Sequence, residues 1–320
     1  MMAGVRWSEA TELPLLNVSG FTWAENLAFD LSPGRSQLYV SDAGTGFLWR
    51  IFLNGGGSGY EAEVLAKFGQ VNGLQMAANN TVLYACVKIG SSAGLAKGQT
   101  AVVAVDVSQP AGSGAQSWRV VADLPAMGNG LALHEATQML YTTYEADEIP
   151  GAGSVYAVDT LGLLPVQLVA TGLQGTDGCR IDPSSDTLYV SDVVAARLDL
   201  FKLPTSRQGN MTLSLLRSFK APSMKFLDDF ALDWQQNLIF GADFATGRVV
   251  KFNADGSSSS GEVVASGLLN PTSVQIGAGS SFNHTSIYVT EGGGIRGINT
   301  DRRVLEFRGL VTPFLMEKKN

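Results

Sequence analysis

Residues 25–30 read ENLAFD, and residues 38–42 read LYVSD. Leu27 and Phe29 alternate with Ala28 and Asp30, the pattern of a half-buried strand, and LYVSD has the aromatic and β-branched content of its partner. The same pair returns five times: NGLQMA (72–77) with LYACV (83–87), NGLALH (129–134) with LYTTY (140–144), DGCRID (177–182) with LYVSD (188–192), DDFALD (228–233) with IFGAD (239–243), and TSVQIG (272–277) with IYVTE (287–291). Successive copies start 44 to 57 residues apart. Self-similarity at about 50 residues is the signature of an array or a propeller.

Each pair is followed by more strand-like segments. FLWRIF, AVVAVDV, SVYAVDT, RLDLFKL and RVVKFN read as third strands, and EVLAKF, WRVVADL, PVQLVATG, LSLLRSF and EVVASGL as fourth strands. The expected fold is therefore all-β: a six-bladed β-propeller of four-stranded antiparallel blades. It occupies residues 1–320 as a single domain, with blades starting near residues 25, 72, 129, 177, 228 and 272. The last copy shows RVLEFRG as a third strand and no clear fourth. The N-terminal LPLLNVSGFTWAENL resembles VVASGLLNPTSV, the junction between the fifth and sixth copies. Residues 13–17 are thus expected to complete the last blade and close the ring, which removes a sheet edge.

Apolar residues make up 45% of the chain and charged residues 16%, enough for a large core. The net charge of −7 argues against nucleic acid as a partner, because a phosphate backbone requires a basic face. No apolar run reaches the length of a membrane span. The expected partner is a small molecule, and the sequence is compatible with a monomer. Cys86 and Cys179 are too few for a disulfide framework and fall in non-adjacent blades, where they read as small buried hydrophobes. N-x-S/T sequons at Asn17, Asn79, Asn210 and Asn283 favour a secretory location over a cytoplasmic one.

Aligned on Glu25, the copies carry Leu27, Leu74, Leu131, Cys179, Phe230 and Val274 two residues on. Four residues on they carry Phe29, Met76, Leu133, Ile181, Leu232 and Ile276. All twelve are apolar, as packing between blades requires. The first position is always polar: Glu25, Asn72, Asn129, Asp177, Asp228 and Thr272. Glu25 has the same parity as Leu27 and Phe29, and so breaks the strand pattern that its neighbours obey. In a propeller the innermost strands surround one channel, so these six residues converge on one mouth. Turn chemistry accounts for Asn-Gly and Asp-Gly but not for Glu25. Carboxylates at close range in a dry site need shared protons or a cation. Oxygen donors of this kind suit calcium or magnesium.

The second strands end in Asp42, Val87, Tyr144, Asp192, Asp243 and Glu291, expected as a wider tier around the same mouth. Phe21, Trp23, Met127, Met224, Phe226 and Phe244 lie nearby in sequence. A few polar groups ringed by aromatics describe a small-molecule pocket. Its expected lining is Trp23, Asp42, Asn72, Met127, Tyr144, Asp192, Phe226, Asp243, Phe244, Thr272 and Glu291. His134 falls at the far end of an inner strand and His284 in a surface loop, so a Ser-His-Asp triad or a zinc site is not expected.

WAEN…LYVSD, GNGLAL…LYTTY, TDGCRID…LYVSD and LDDFALD resemble the senescence marker protein/gluconolactonase family of six-bladed propellers, over nearly the whole chain. That family binds one divalent metal in the channel and hydrolyses lactones or related esters. The resemblance implies that Glu25, Asn129 and Asp228 are metal ligands and that Asp228 is also the general base. Asp177 stands where the family usually has asparagine, and is assigned here as a further ligand and catalytic acid group. Strictosidine synthase-like enzymes share the architecture but use a glutamate where this chain has Thr272. Fungal hetero-Diels–Alderases are similar propellers that need no metal. The chain is thus expected to be a metal-dependent hydrolase, with a cofactor-free cyclase or a non-catalytic binding propeller as alternatives.

Overall fold

The computed structural model of the protein describes residues 22–30, 32, 35, 37–53, 60–90, 99–144, 151–207, 211–277, 282, 286–291, 294–299 and 304–305. Within them the chain forms six four-stranded sheets, each built from consecutive strands and antiparallel throughout. The first contains Ala24–Asp30, Gln37–Asp42, Phe47–Leu53 and Tyr60–Lys67. The protein is an all-β propeller. Among the described residues no helix is assigned, so none is long and apolar enough to cross a membrane.

The innermost strands are Ala24–Asp30, Gln70–Met76, Leu131–His134, Thr176–Asp182, Leu227–Asp233 and Ser273–Ile276. Each hairpins back into a second strand that is almost wholly buried, which explains its continuous apolar run rather than strict alternation. The turns between these two strands use left-handed residues: Gln138, Asp186 and Asn237 have φ of 54°, 45° and 57°. Asn and Asp tolerate that region, which is why polar residues punctuate the pattern there.

The core lies between sheets rather than within one. Leu27, Leu74, Leu131, Cys179, Phe230 and Val274 are all buried, at 2% exposure or less. Six apolar clusters each join one neighbouring pair of sheets, and the cluster between the last sheet and the first closes the circle. In it Phe29 packs against Phe282 and Tyr288 with ring centroids 5.2 and 5.3 Å apart. Each such buried aromatic contributes on the order of 1.5–3 kcal/mol relative to exposure.

Two expectations change. In the last sheet the third strand is Gly294–Asn299 (GIRGIN), and the Val304–Leu305 pair inside RVLEFRG forms the fourth. The outer position of that sheet is therefore filled from the C-terminal side. Residues 13–17, Phe21 and the sequons at Asn17, Asn210 and Asn283 lie outside the described residues. The second change concerns Phe29, Met76, Leu133, Ile181, Leu232 and Ile276, expected purely as packing between blades. They also line a cavity of about 370 Å³ at the end of the channel remote from Glu25.

Candidate functional site

The parity conflict at Glu25 is resolved by a β-bulge. Ala24 pairs with Asp42 and Asn26 with Ser41, so Glu25 is an extra residue in the ladder. The same irregularity recurs at the same place in three other sheets: between Val71 and Leu74, between Thr176 and Cys179, and between Leu227 and Phe230. Each contains the polar first residue of its copy: Asn72, Asp177 or Asp228. A bulge re-aims a side chain without shifting the rest of the strand. Glu25 can therefore leave the side that Leu27 and Phe29 occupy.

These bulges bring Glu25, Asp177 and Asp228 together, with one carboxylate oxygen of each within 4.8 Å of the others. Asp177 and Asp228 are buried and Glu25 is half-buried. The Trp23 indole donates its Nε1–H to Glu25 Oε2 at 2.8 Å and fixes that carboxylate's rotamer. Beside the acids lies a cavity of about 340 Å³, lined by Trp23, Glu25, Ala43, Gln70, Asn72, Met127, Asn129 and Tyr144. Gln70 donates its amide to Asn72 Oδ1 at 3.1 Å. Mutual repulsion of three carboxylates is what a divalent cation relieves, and the donors are all oxygens that hard cations accept.

The backbone of each acid is held from the neighbouring sheet. Thr143 Oγ1 donates to the Asp177 carbonyl, Ser191 Oγ to the Asp228 carbonyl at 2.5 Å, and Thr290 Oγ1 to the Glu25 carbonyl at 3.2 Å. All three hydroxyls occupy the next-to-last position of a second strand. Glycine follows the ring residue where inner strands nearly touch. A Cβ on Gly130 would lie 2.4 Å from the Asp177 carbonyl oxygen, and one on Gly73 would lie 2.1 Å from that of Asn129.

Of the expected pocket, Trp23, Asn72, Met127 and Tyr144 line the cavity with Glu25 and Asn129. Phe244 packs against Trp23, with ring centroids 6.0 Å apart. Of the expected outer tier, Tyr144 lines this cavity, whereas the acids are not among its lining and their carboxylates accept from backbone N–H groups and arginines. Asp42 accepts from the backbone N–H groups of Thr22 and Trp23 at 2.8 and 3.0 Å, and so holds the segment that carries Trp23. Asp192 accepts from Ala195 N–H and Arg197, and burial raises the pKa of its carboxyl. Asp243 accepts from Phe226 N–H at 3.2 Å and from Arg248 at 2.9 Å. Glu291 accepts from Leu269 N–H at 2.8 Å. Thr272 donates to the Ala24 carbonyl at 2.7 Å, which ties the last sheet to the first. Phe226 is part-exposed beside Asp243, and Met224 packs against the core between the fourth and fifth sheets.

Sequence reasoning missed Ala43, Gln70 and the three hydroxyls. A hydroxyl residue does recur at that second-strand position, as Ser41, Thr143, Ser191 and Thr290, and this signal was available. His134 lies away from the site, with Nε2 3.2 Å from Asp186.

No curated protein matches the sequence. Among solved structures, the chain is similar to a luciferin-regenerating enzyme, at 15% identity and a TM-score of 0.65, covering 92% of this chain and 96% of that one. It is also similar to a calcium-binding protein, regucalcin, from Agrobacterium tumefaciens, at 16% identity and a TM-score of 0.62, covering 90% and 92%. A chain of a nidogen/laminin complex matches at 14% identity and a TM-score of 0.61, covering 84% and 93%. At these identities the likeness shows the propeller fold. A sequence profile described as SMP-30/Gluconolactonase/LRE-like region matches residues 113–293, more than half of the chain. This chain belongs to the SMP-30/gluconolactonase/LRE-like family.

Proposed function

We propose that the protein is a six-bladed propeller enzyme that hydrolyses lactones or related esters at the mouth of its channel, with a divalent cation, calcium or magnesium, in the acid ring. The observation that carries this reading is the convergence of Glu25, Asp177 and Asp228 to within 4.8 Å beside a cavity. Family membership and the regucalcin likeness support it. Glu25, Asp177, Asp228 and Asn129 hold the ion. When bound, the ion polarises the substrate carbonyl and lowers the pKa of a water.

The chain's own groups do the rest. Trp23, Met127 and Tyr144 pack on the substrate's apolar surface and exclude water, while Asn72 and Asn129 offer amide groups to its oxygens. Asp228 takes the proton of the attacking water, and Asp177 balances charge beside it. The ester C–O bond breaks, the proton passes to the departing alkoxide oxygen, and the acyl group leaves as a carboxylate.

The test is lactone hydrolysis by purified protein with and without a chelator, and by Asp228→Asn. Loss of turnover on chelation, restored by calcium or magnesium, is the expected result. Lactone hydrolysis unchanged by chelation would overturn the metal role, and absence of hydrolysis in protein that binds no metal would favour a cofactor-free cyclase working through the aromatic cavity. Unchanged hydrolysis by Asp228→Asn would remove Asp228 as the base.

A further inference from the structure

Directly beneath the acid ring the channel is crossed by a second polar cluster, in which Asn26, Asp229 and Ser273 are buried and Gln275 is half-buried. Its centre is Asp229, the other residue of the Asp228 bulge, only 1% exposed. Asp229 Oδ2 accepts from Arg180 Nη2 at 2.6 Å, Asn26 Nδ2 at 2.8 Å and Ser273 Oγ at 2.6 Å. Its Oδ1 accepts from the Phe230 N–H at 2.7 Å. Arg180 also donates from Nη1 to the Cys179 carbonyl at 2.7 Å. With the Gln275 amide oxygen turned towards Arg180, it accepts from Nε at 3.0 Å and Nη2 at 2.8 Å. The cluster thus links the first, fourth, fifth and sixth sheets.

Two further observations show that this place is built for Asp229. A Cβ on Gly178 would lie 2.0 Å from Asp229 Oδ1, so only glycine there admits the carboxylate. Arg180 and Gln275 also form part of the lining of the far cavity, while Glu25 and Asn129 line the near one. The cluster therefore stands between the two mouths. Asn26, Asp229 and Ser273 each immediately follow a ring residue: Glu25, Asp228 and Thr272.

We propose that Arg180 is a positioning residue: by clamping Asp229 across the channel, it fixes the Asp228–Asp229 bulge and with it the spacing of the acid ring. The guanidinium is suited to this because its planar donors serve three acceptors at once. A lysine would keep the charge but not the bridging. The proposal adds residues beyond the ligand set, and its link to cation binding rests on the metal reading above. Partners behind metal ligands commonly change affinity by about 10- to 100-fold when removed.

The test uses Arg180→Lys and, as a variant without an uncompensated buried charge, Arg180→Met/Asp229→Asn. Two readouts separate this proposal from the metal reading. Amide hydrogen exchange on chelator-treated protein is expected to be at least tenfold faster at positions 229 and 230 in both variants, with Leu48 and Val250 unchanged. Calcium titration is expected to show about tenfold or greater weakening. Unchanged exchange at positions 229 and 230 would overturn the proposal, as would wild-type calcium affinity in either folded variant. If the wild-type chain binds no cation, the metal reading falls and exchange alone decides the clamp.

Discussion

Ser191→Ala removes one hydroxyl and no charge, yet it is expected to weaken cation binding at a carboxylate that Ser191 does not touch. Ser191 is fully buried, and its Oγ donates to the Asp228 carbonyl at 2.5 Å. Losing such a bond and leaving a buried carbonyl under-satisfied costs about 1–3 kcal/mol. Unfolding entropy of about 2.1 cal/mol/K per residue gives roughly 0.7 kcal/mol/K for a chain this long. The expected fall in Tm of the chelated protein is therefore roughly 1.5–4.5 °C. Calcium affinity is expected to fall by about tenfold, because the Asp228 bulge loses its anchor to the neighbouring sheet. The control is Thr187→Val, at the opposite end of the same strand, Thr187–Asp192, and also buried. It is expected to lower Tm by a similar amount and leave calcium affinity unchanged. Differential scanning calorimetry with and without chelator, together with calcium titration, reads both quantities. Equal calcium affinity in Ser191→Ala and wild type, with the Tm loss present, would refute the reasoning that the hydroxyl positions the ring.

Other consequences can be measured on the same protein. Burial pushes the Cys86 thiol up to about 12 and raises that of Cys179 as well, so raising the pH to 9 still yields almost no thiolate. Neither is expected to react with iodoacetamide until the protein unfolds, and rapid alkylation of the folded chain would contradict their placement. Gly130→Ala forces a Cβ against the backbone of Asp177 and Cys179, with gaps of 2.4 and 2.6 Å. It is expected to destabilise the chain by about 1–3 kcal/mol or more in urea unfolding, whereas an unchanged midpoint would deny the close approach of the inner strands. Glu25→Gln relieves repulsion among three acids, so it is expected to raise the Tm of chelated protein while weakening calcium binding. A fall in that Tm would mean that the ring acids stabilise one another without a cation.

The repeat and the polar first position were legible because each copy spells them locally, in residues a few places apart. What stayed hidden depended on geometry that composition does not record. A bulge adds one residue without altering the alphabet, so Glu25 looked like a violation of parity rather than the mark of a re-aimed side chain. The Ser-Asp endings at Asp42 and Asp192 use the same letters for a turn and for a binding site. Here the carboxylates accept from backbone N–H groups of the turns that follow them, Gly44 and Thr45 for Asp42 and Ala195 for Asp192. GIRGIN did not read as a strand because two glycines dilute its apolar pattern, and the register of the last sheet was misread as a result. The clamp on Asp229 was invisible for a different reason: Arg180 lies 49 residues away in sequence, on the inner strand of the preceding sheet, and only the packing of the two sheets brings them into contact.

The central claim is that Glu25, Asp177 and Asp228 form one cation site. Isothermal titration of chelator-treated protein with calcium, alongside Asp177→Asn/Asp228→Asn, tests it most directly. The account expects one ion bound per chain by the wild-type protein and none by the double variant at the same concentrations. Absence of binding by the wild-type chain, or equal binding by the double variant, would contradict it.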